Sequence, residues 1–372
     1  MKRILPLLLV LSLGATAFGC KDKSDNNNNH DSSGDPSNPG GGGGGQPGTP
    51  GGPGTPSAEE ANTNPTEGIE PATAVLEVGQ FTDGPVWHAG MGAVFYTTPL
   101  DQGALYRMLP DDGRQIKIRD GVLAQGTQPI GNTVNAAGEI ITVEAKRVVR
   151  QAAEAIGEPT VIATQYTGAD APPKDPLNPD APPPAQQTGP FDTLNDVVAR
   201  SDGTLYVTDP GYFVPDPGPA VNRIYRISPD GAVVQVVEAF DDVPRPNGIV
   251  LSPDEKALYV GFERPIQGTL PFVRKYTVND DGTLGEWTKF VDIGPEDSSP
   301  DGLAIDKVGN LYVATKAGIE VYKPSGDKWG VLAVPEPPTG MTFGGKDMKT
   351  LFITTTGSKI WQLKMKIEGI AH

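Results

Sequence analysis

Hydrophobic and polar positions fall into one recurring unit along this chain: a polar residue, usually a small one next, a short apolar strand, a turn, and a second apolar strand. The first three units are Asp83-Gly-Pro-Val-Trp with Val94-Phe-Tyr-Thr-Thr, Ile130-Gly-Asn-Thr-Val with Ile140-Ile-Thr-Val-Glu, and Asn195-Asp-Val-Val-Ala with Leu205-Tyr-Val-Thr-Asp. The last three are Asn247-Gly-Ile-Val-Leu with Leu258-Tyr-Val-Gly, Asp301-Gly-Leu-Ala-Ile with Leu311-Tyr-Val-Ala, and Gly340-Met-Thr-Phe-Gly with Leu351-Phe-Ile-Thr. Ile130 and Gly340 break the polar start. The units begin about 40–65 residues apart, which suits one four-stranded blade each, joined by loops of variable length.

In the third unit all four strands can be traced: Asp196 to Arg200, Thr204 to Thr208, Arg223 to Ile227 and Val233 to Glu238. Asp202-Gly203 and Asp230-Gly231 separate two of the pairs, and such dipeptides favour tight hairpin turns. No segment beyond the N-terminal apolar run keeps helical periodicity over three turns. The expected fold is therefore all-β, a six-bladed β-propeller. The last unit supplies only three strands, Met341 to Phe343, Leu351 to Thr355 and Ile360 to Met365, whereas Ala74 to Val78 has no partner of its own. Pairing that N-terminal strand with Ile360 to Met365 completes the last blade and closes the ring, leaving few exposed strand edges.

Residues 1–20 read as a lipoprotein signal peptide. Lys2 and Arg3 precede an apolar run from Ile4 to Phe18 that is too short to span a bilayer. Ala17-Phe18-Gly19-Cys20 resembles the bacterial lipobox, which implies acylation of Cys20, the single cysteine of the chain. Multiple acyl chains hold a protein durably at a membrane. The expected location is the bacterial cell envelope, with the membrane a partner through the lipid anchor only. Residues 21–66, rich in Gly, Pro and Asn, offer almost nothing apolar to bury and read as a disordered tether. Residues 67–372 form the propeller domain. A formal net charge of −16 argues against nucleic acid as a partner, and the chain is read as a monomer.

In a propeller the innermost strand of each blade lines the central channel and starts at one rim. Asp83, Ile130, Asn195, Asn247, Asp301 and Gly340 should therefore converge on the axis. Four of these carry carboxylate or amide oxygens, a donor set that suits Ca²⁺, or another divalent cation, better than zinc or copper. Two carboxylates on one axis repel each other unless a cation lies between them. Asn and Asp before Gly are also ordinary turn residues, the competing account of the same positions. The histidines are His30, His88 and His372, with no spacing that builds a zinc site or a catalytic triad. No Gly-x-Ser-x-Gly elbow is present. His88 and Asn279-Asp-Asp-Gly282 read as turn elements. Residues 166–192, rich in Pro and Asp, interrupt the repeat just before Asn195, as either a surface insertion or a flap over the channel mouth.

At these residues the chain resembles the senescence marker protein, gluconolactonase and luciferin-regenerating enzyme family of six-bladed, calcium-binding propeller hydrolases. The likeness rests on Asp83-Gly-Pro-Val-Trp, where the family opens on Glu, and on Asn195-Asp-Val-Val followed by Tyr206-Val-Thr-Asp-Pro-Gly-Tyr212. Pro246-Asn-Gly-Ile-Val-Leu-Ser-Pro-Asp254, Pro300-Asp-Gly-Leu-Ala-Ile-Asp306 and Phe343-Gly-Gly345 follow in the family's order. The resemblance implies metal ligation by Asp83, Asn247 and Asp301, with Asn195 completing the shell or positioning substrate. It also implies that Asp301 is the general base. The implied activity is calcium-dependent hydrolysis of a small ester such as a sugar lactone. Bacterial members usually carry Glu-His after the second strand of the second blade, whereas Glu144 is followed here by Ala145. A non-catalytic binding propeller with a structural calcium ion would need the same ring of residues.

Overall fold

The computed structural model of the chain describes residues 56–100, 103–169, 188–212, 221–241, 244–263, 270–295 and 298–370. The signal peptide, Cys20 and most of the tether lie outside the described residues.

Six antiparallel sheets follow one another along the chain. Blade 1 comprises Asp83–His88, Ala93–Thr97, Ala104–Leu109 and Arg114–Asp120. Blade 2 comprises Pro129–Val134, Glu139–Glu144, Arg147–Ala152 and Thr160–Ala163. Blade 3 is Val197–Ala199, Leu205–Asp209, Val221–Ile227 and Val234–Asp241, close to the limits expected from the sequence. Blade 4 is Arg245–Leu251, Ala257–Glu263, Phe272–Val278 and Leu284–Asp292; blade 5 is Leu303–Ile305, Leu311–Thr315, Gly318–Tyr322 and Lys328–Leu332.

Blade 6 closes the ring as anticipated. Its chain-terminal strands Pro338–Gly344, Thr350–Thr355 and Lys359–Lys364 are joined by Thr73–Glu77, with Ala74 opposite Trp361 and Glu77 opposite Lys359. The seam is tightened by Trp87 of blade 1, which stacks on Phe352 of blade 6 at 5.7 Å between ring centroids. Elsewhere the core is built between neighbouring blades. One cluster, for example, joins Val198 and Tyr206 of blade 3 to Ile249, Leu258 and Trp287 of blade 4.

The glycine second in four of the units has a physical reason. At Gly84 a Cβ would meet the Ile130 carbonyl oxygen at 2.1 Å, at Gly131 the Asn195 carbonyl at 2.6 Å, and at Gly248 the Asp301 carbonyl at 2.2 Å. Gly302 abuts Gly340, and Gly340 abuts Pro85 across the seam. The inner strands thus touch backbone to backbone, and only glycine permits that approach. Threonines of the second strands then stitch adjacent blades. The Thr97 hydroxyl donates to the Ile130 carbonyl at 2.7 Å, and the Thr208 hydroxyl donates to the Asn247 carbonyl at 2.7 Å. This fixes the height at which each axial residue stands.

Beyond the end of the inner strand of blade 5 the C-terminal segment returns to that blade. Gly369 bridges to Asp306, and Ile370 lines the cavity. Beside it Lys307 pairs with Glu368 at 2.9 Å and with Glu60 at 2.6 Å. Glu60 belongs to a short helix, Ala58–Asn62, that starts at a capping box on Ser57. Ile69 and Ala72 pack against blades 5 and 6. The helix Ala58–Asn62, within the segment read as linker, is thus held to the ring by the Glu60–Lys307 pair. The base of the Pro-rich insertion is also placed. Gly168–Ala169 adds in parallel to the outer strand of blade 3, and Gln165–Tyr166 pairs with Gly189–Pro190.

Candidate metal and active site

The ring geometry brings Asp83, Asn195, Asn247 and Asp301 to the lining of one cavity, as expected. Ile130 is not part of that lining. Blades 2 and 6 place Gly131 and Gly340 there instead, so the carboxylates of the lining come from blades 1, 3 and 5. Asn132, the nearest polar side chain on blade 2, is consumed internally. Its amide donates to the Gly84 carbonyl at 2.6 Å and accepts from Thr142 at 2.7 Å.

Two of the donors are tightly held. The carboxylate of Asp83 accepts from the Gly84 amide at 2.8 Å. Asn247 is 6% exposed, its carbonyl is pinned by Thr208, and its side chain donates to the Tyr212 hydroxyl at 3.2 Å. Asn195 is fixed only through its backbone, whose N–H donates to the Thr208 carbonyl at 2.9 Å. Its side-chain amide lines the cavity and makes no hydrogen bond to the described residues, which leaves it available to a ligand.

Three residues of the site escaped the sequence. Asp196 stands where four of the other inner strands carry glycine against their neighbour. Its carboxylate crosses to blade 4, accepting from the Ile249 amide at 3.1 Å and from its own neighbour Val197 at 2.8 Å. The signal was present in the repeat, as a carboxylate in a glycine position. Tyr212 closes the motif that begins at Tyr206, and Glu263 ends the second strand of blade 4. Nothing in that strand's pattern sets Glu263 apart from an ordinary strand end. The Tyr212 hydroxyl donates to Glu263.

Electrostatics distinguish this cavity from a set of turns. Among the described residues lining it, Asp83, Asp196 and Asp301 are the charged ones, and none is Lys, Arg or His. Burial pushes the Asp83 carboxyl up to about 6. Burial, reinforced by the charge of Asp83, pushes Asp196 up to about 7. Asp301 is raised well above the usual carboxylate range, chiefly by burial and then by the charges of Asp83, Glu263 and Asp196, with the Asn247 hydrogen bond opposing. Carboxylates crowded in this way gain from a cation. Among the described residues no three carboxylate, imidazole or thiolate groups stand close enough to hold a metal by themselves. A cation here would draw on the amide oxygens of Asn195 and Asn247 as well as on Asp83 and Asp301. That all-oxygen set fits Ca²⁺.

Glu144 lies at the end of the second strand of blade 2, beside Ala145. It is fully buried and held by Arg119 and Arg147, so it does not face the cavity. His88 serves a turn, accepting from the Met91 amide at 3.1 Å and bonding the Gly138 carbonyl at 2.9 Å.

The family model described as SMP-30/Gluconolactonase/LRE-like region matches residues 81–357. A gluconolactonase of Zymomonas mobilis is 26% identical over 310 residues, covering 77% of this chain and 79% of its own length. Among solved structures, a gluconolactonase from Xanthomonas campestris superposes with a TM-score of 0.64 at 22% identity, over 81% of this chain and 91% of its own. A calcium-binding regucalcin from Agrobacterium tumefaciens superposes with a TM-score of 0.60 at 17% identity, over 81% of this chain and 98% of its own.

Proposed function

The chain belongs to the SMP-30/gluconolactonase/LRE-like family, and from that premise we propose that it is a lactonase, hydrolysing a small ester such as a sugar lactone with a divalent cation, Ca²⁺, in the axial cavity. One observation carries the proposal. Among the described residues, the charged ones lining the cavity are all carboxylates, and Asn195, which lines it too, makes no side-chain hydrogen bond to another. A ring of turn residues would have no need to bury like charges together.

Asp83, Asn195, Asn247 and Asp301 would hold the cation. When bound, it supplies the positive charge that keeps Asp83 and Asp301 ionised together and a Lewis-acid contact for the lactone carbonyl oxygen. Asp301 accepts a proton from water as the water oxygen adds to the carbonyl carbon. The ring carbon–oxygen bond then breaks, and the proton passes to the departing alkoxide, giving the hydroxy acid. Asn195 can donate an amide hydrogen to a substrate hydroxyl while its oxygen faces the cation. Asp196 does not enter the chemistry; it holds the inner strand of blade 4 in register with that of blade 3. The similarity to a gluconolactonase supports a lactone as substrate.

The test is hydrolysis of a panel of lactones by the chelated protein, with Ca²⁺, Mg²⁺, Mn²⁺ or Zn²⁺ added back. Turnover restored by Ca²⁺ supports the proposal. Tight calcium binding with no turnover on any lactone or ester would leave a binding propeller with a structural ion. The lipid anchor is proposed on the Ala17–Cys20 pattern, and retention of a Cys20→Ser variant in washed membranes would refute it.

A further inference from the structure

The hydrogen bonds around Asn247 run in one direction only. Tyr212 lies in the turn after the second strand of blade 3, and Glu263 at the end of the second strand of blade 4. Arg245 is cross-strand from Glu263, and its guanidinium lies 5.6 Å from the centre of the Tyr212 ring. The Tyr212 hydroxyl reaches the Glu263 carboxylate, and Asn247 reaches the Tyr212 oxygen at 3.2 Å. A phenol has one hydrogen, and an ionised carboxylate can only accept. That hydrogen is therefore committed to Glu263, and any further group on the Tyr212 oxygen must donate. Of the two ends of the Asn247 amide, only Nδ2 can do so. Tyr212 thus demands the nitrogen, and Oδ1 is left as the end free to ligate. With Asn247 6% exposed, the amide has no solvent in which to turn over without leaving acceptors facing one another.

We propose that Tyr212 and Glu263 are positioning residues for the cation: their hydrogen-bond polarity fixes the Asn247 amide with its oxygen toward the axial site. The proposal rests on the cation site assigned above and deepens it. Outer partners of metal ligands typically influence affinity by about 10–100-fold when removed. Tyr212→Phe removes the acceptor while keeping the ring. Glu263→Gln keeps the shape but lets the side chain donate, which frees the tyrosine hydrogen to point at Asn247 and turn the amide round.

The experiment is a double-mutant cycle on calcium affinity, measured by titration calorimetry on the full chain, with circular dichroism to confirm folding. Each single variant is expected to raise the Kd about 10–100-fold. The double variant should bind little worse than either single one, because Glu263 acts through Tyr212. If Glu263→Gln costs the same factor on the Tyr212→Phe background as in the wild type, Glu263 acts by its charge alone and the proposal is overturned. An unchanged Kd for Tyr212→Phe overturns it as well. Should Tyr212→Phe not fold, the isosteric Glu263→Gln still decides: an unchanged Kd there refutes the relay. Wild-type protein that binds no calcium removes the cation site itself. Binding by the wild type with indifferent variants removes only the positioning role.

Discussion

Replacing Asp301 with Asn separates two consequences that the structure assigns to one carboxylate. The change keeps the size of the side chain and the backbone bond from the Asp301 amide to the Ala314 carbonyl at 2.9 Å. It removes one negative charge and the ability to accept a proton from water. Loss of a general base costs about 10²–10⁴ in rate, or about 3–5 kcal/mol of transition-state stabilisation at 1.36 kcal/mol per tenfold. Stability should move the other way. The carboxyl of Asp301 is raised well above its ordinary range by burial and by Asp83, Glu263 and Asp196. Its ionised form therefore opposes folding at alkaline pH, and that opposition fades as pH falls through the raised value. In chelator at pH 8 the Asp301→Asn protein should melt above the wild type. With excess Ca²⁺ the order should reverse, since the wild type binds more tightly and gains more from mass action, about 2.7 kcal/mol at a ligand concentration of 100 Kd. Turnover on the substrate found by the lactone panel is measured beside thermal denaturation with and without calcium. Wild-type turnover at saturating metal would refute the base assignment. A variant that melts below the wild type in chelator would refute the crowded-carboxylate account.

Asp196→Ala should lower stability at pH 5 by about 1–3 kcal/mol, because the buried Ile249 amide loses its acceptor; an unchanged denaturation midpoint at that pH would show the bond to be dispensable. Removing residues 1–55 should leave the fold intact, whereas removing residues 1–80 exposes the edge of Lys359–Lys364 and should lower the melting temperature sharply; equal melting temperatures would contradict ring closure by Thr73–Glu77. Without metal, the melting temperature should rise as pH falls through about 7 and about 6, where Asp196 and Asp83 take up protons, and the stabilisation conferred by Ca²⁺ should shrink over the same interval. A flat profile in chelator, or a calcium effect independent of pH, would mean that these carboxylates are not crowded.

The propeller was legible because its repeat is enforced locally. Four inner strands need a residue without a Cβ where they meet the next, and each second strand needs a run of apolar residues to fill the space between blades. Those requirements recur around the ring and leave a periodic trace that survives loops of unequal length. Closure by Thr73–Glu77 was legible for a complementary reason: an unpaired strand at one end and a three-stranded blade at the other are costly separately and satisfied together. The docking of the helix Ala58–Asn62 was not legible, since Glu60 and Lys307 are far apart in sequence and meet only through the packed ring. Glu263 was hidden for the same reason. Its strand ends like any other, and its meaning comes from Tyr212, which a different blade delivers.

Asp196 shows where the periodic signal carried more than was taken from it. Gly84, Gly131, Gly248 and Gly302 each let one inner strand lean on the backbone of the next, and the third blade alone places a carboxylate there. A Cβ at that point forbids the close approach, so the contact with blade 4 is made by a side chain reaching the Ile249 amide rather than by direct backbone packing. That substitution has an electrostatic cost, because the carboxylate is buried near Asp83. A neutral Asn or Ser could span a similar gap without that cost. The carboxylate therefore serves the fold and the cavity together: it bonds the Ile249 amide, it adds to the negative potential that Asp83 and Asp301 create, and it lies beside Asn195 in the cavity lining. A departure from the repeat that costs stability and adjoins the site is what a functional constraint on an otherwise regular scaffold produces.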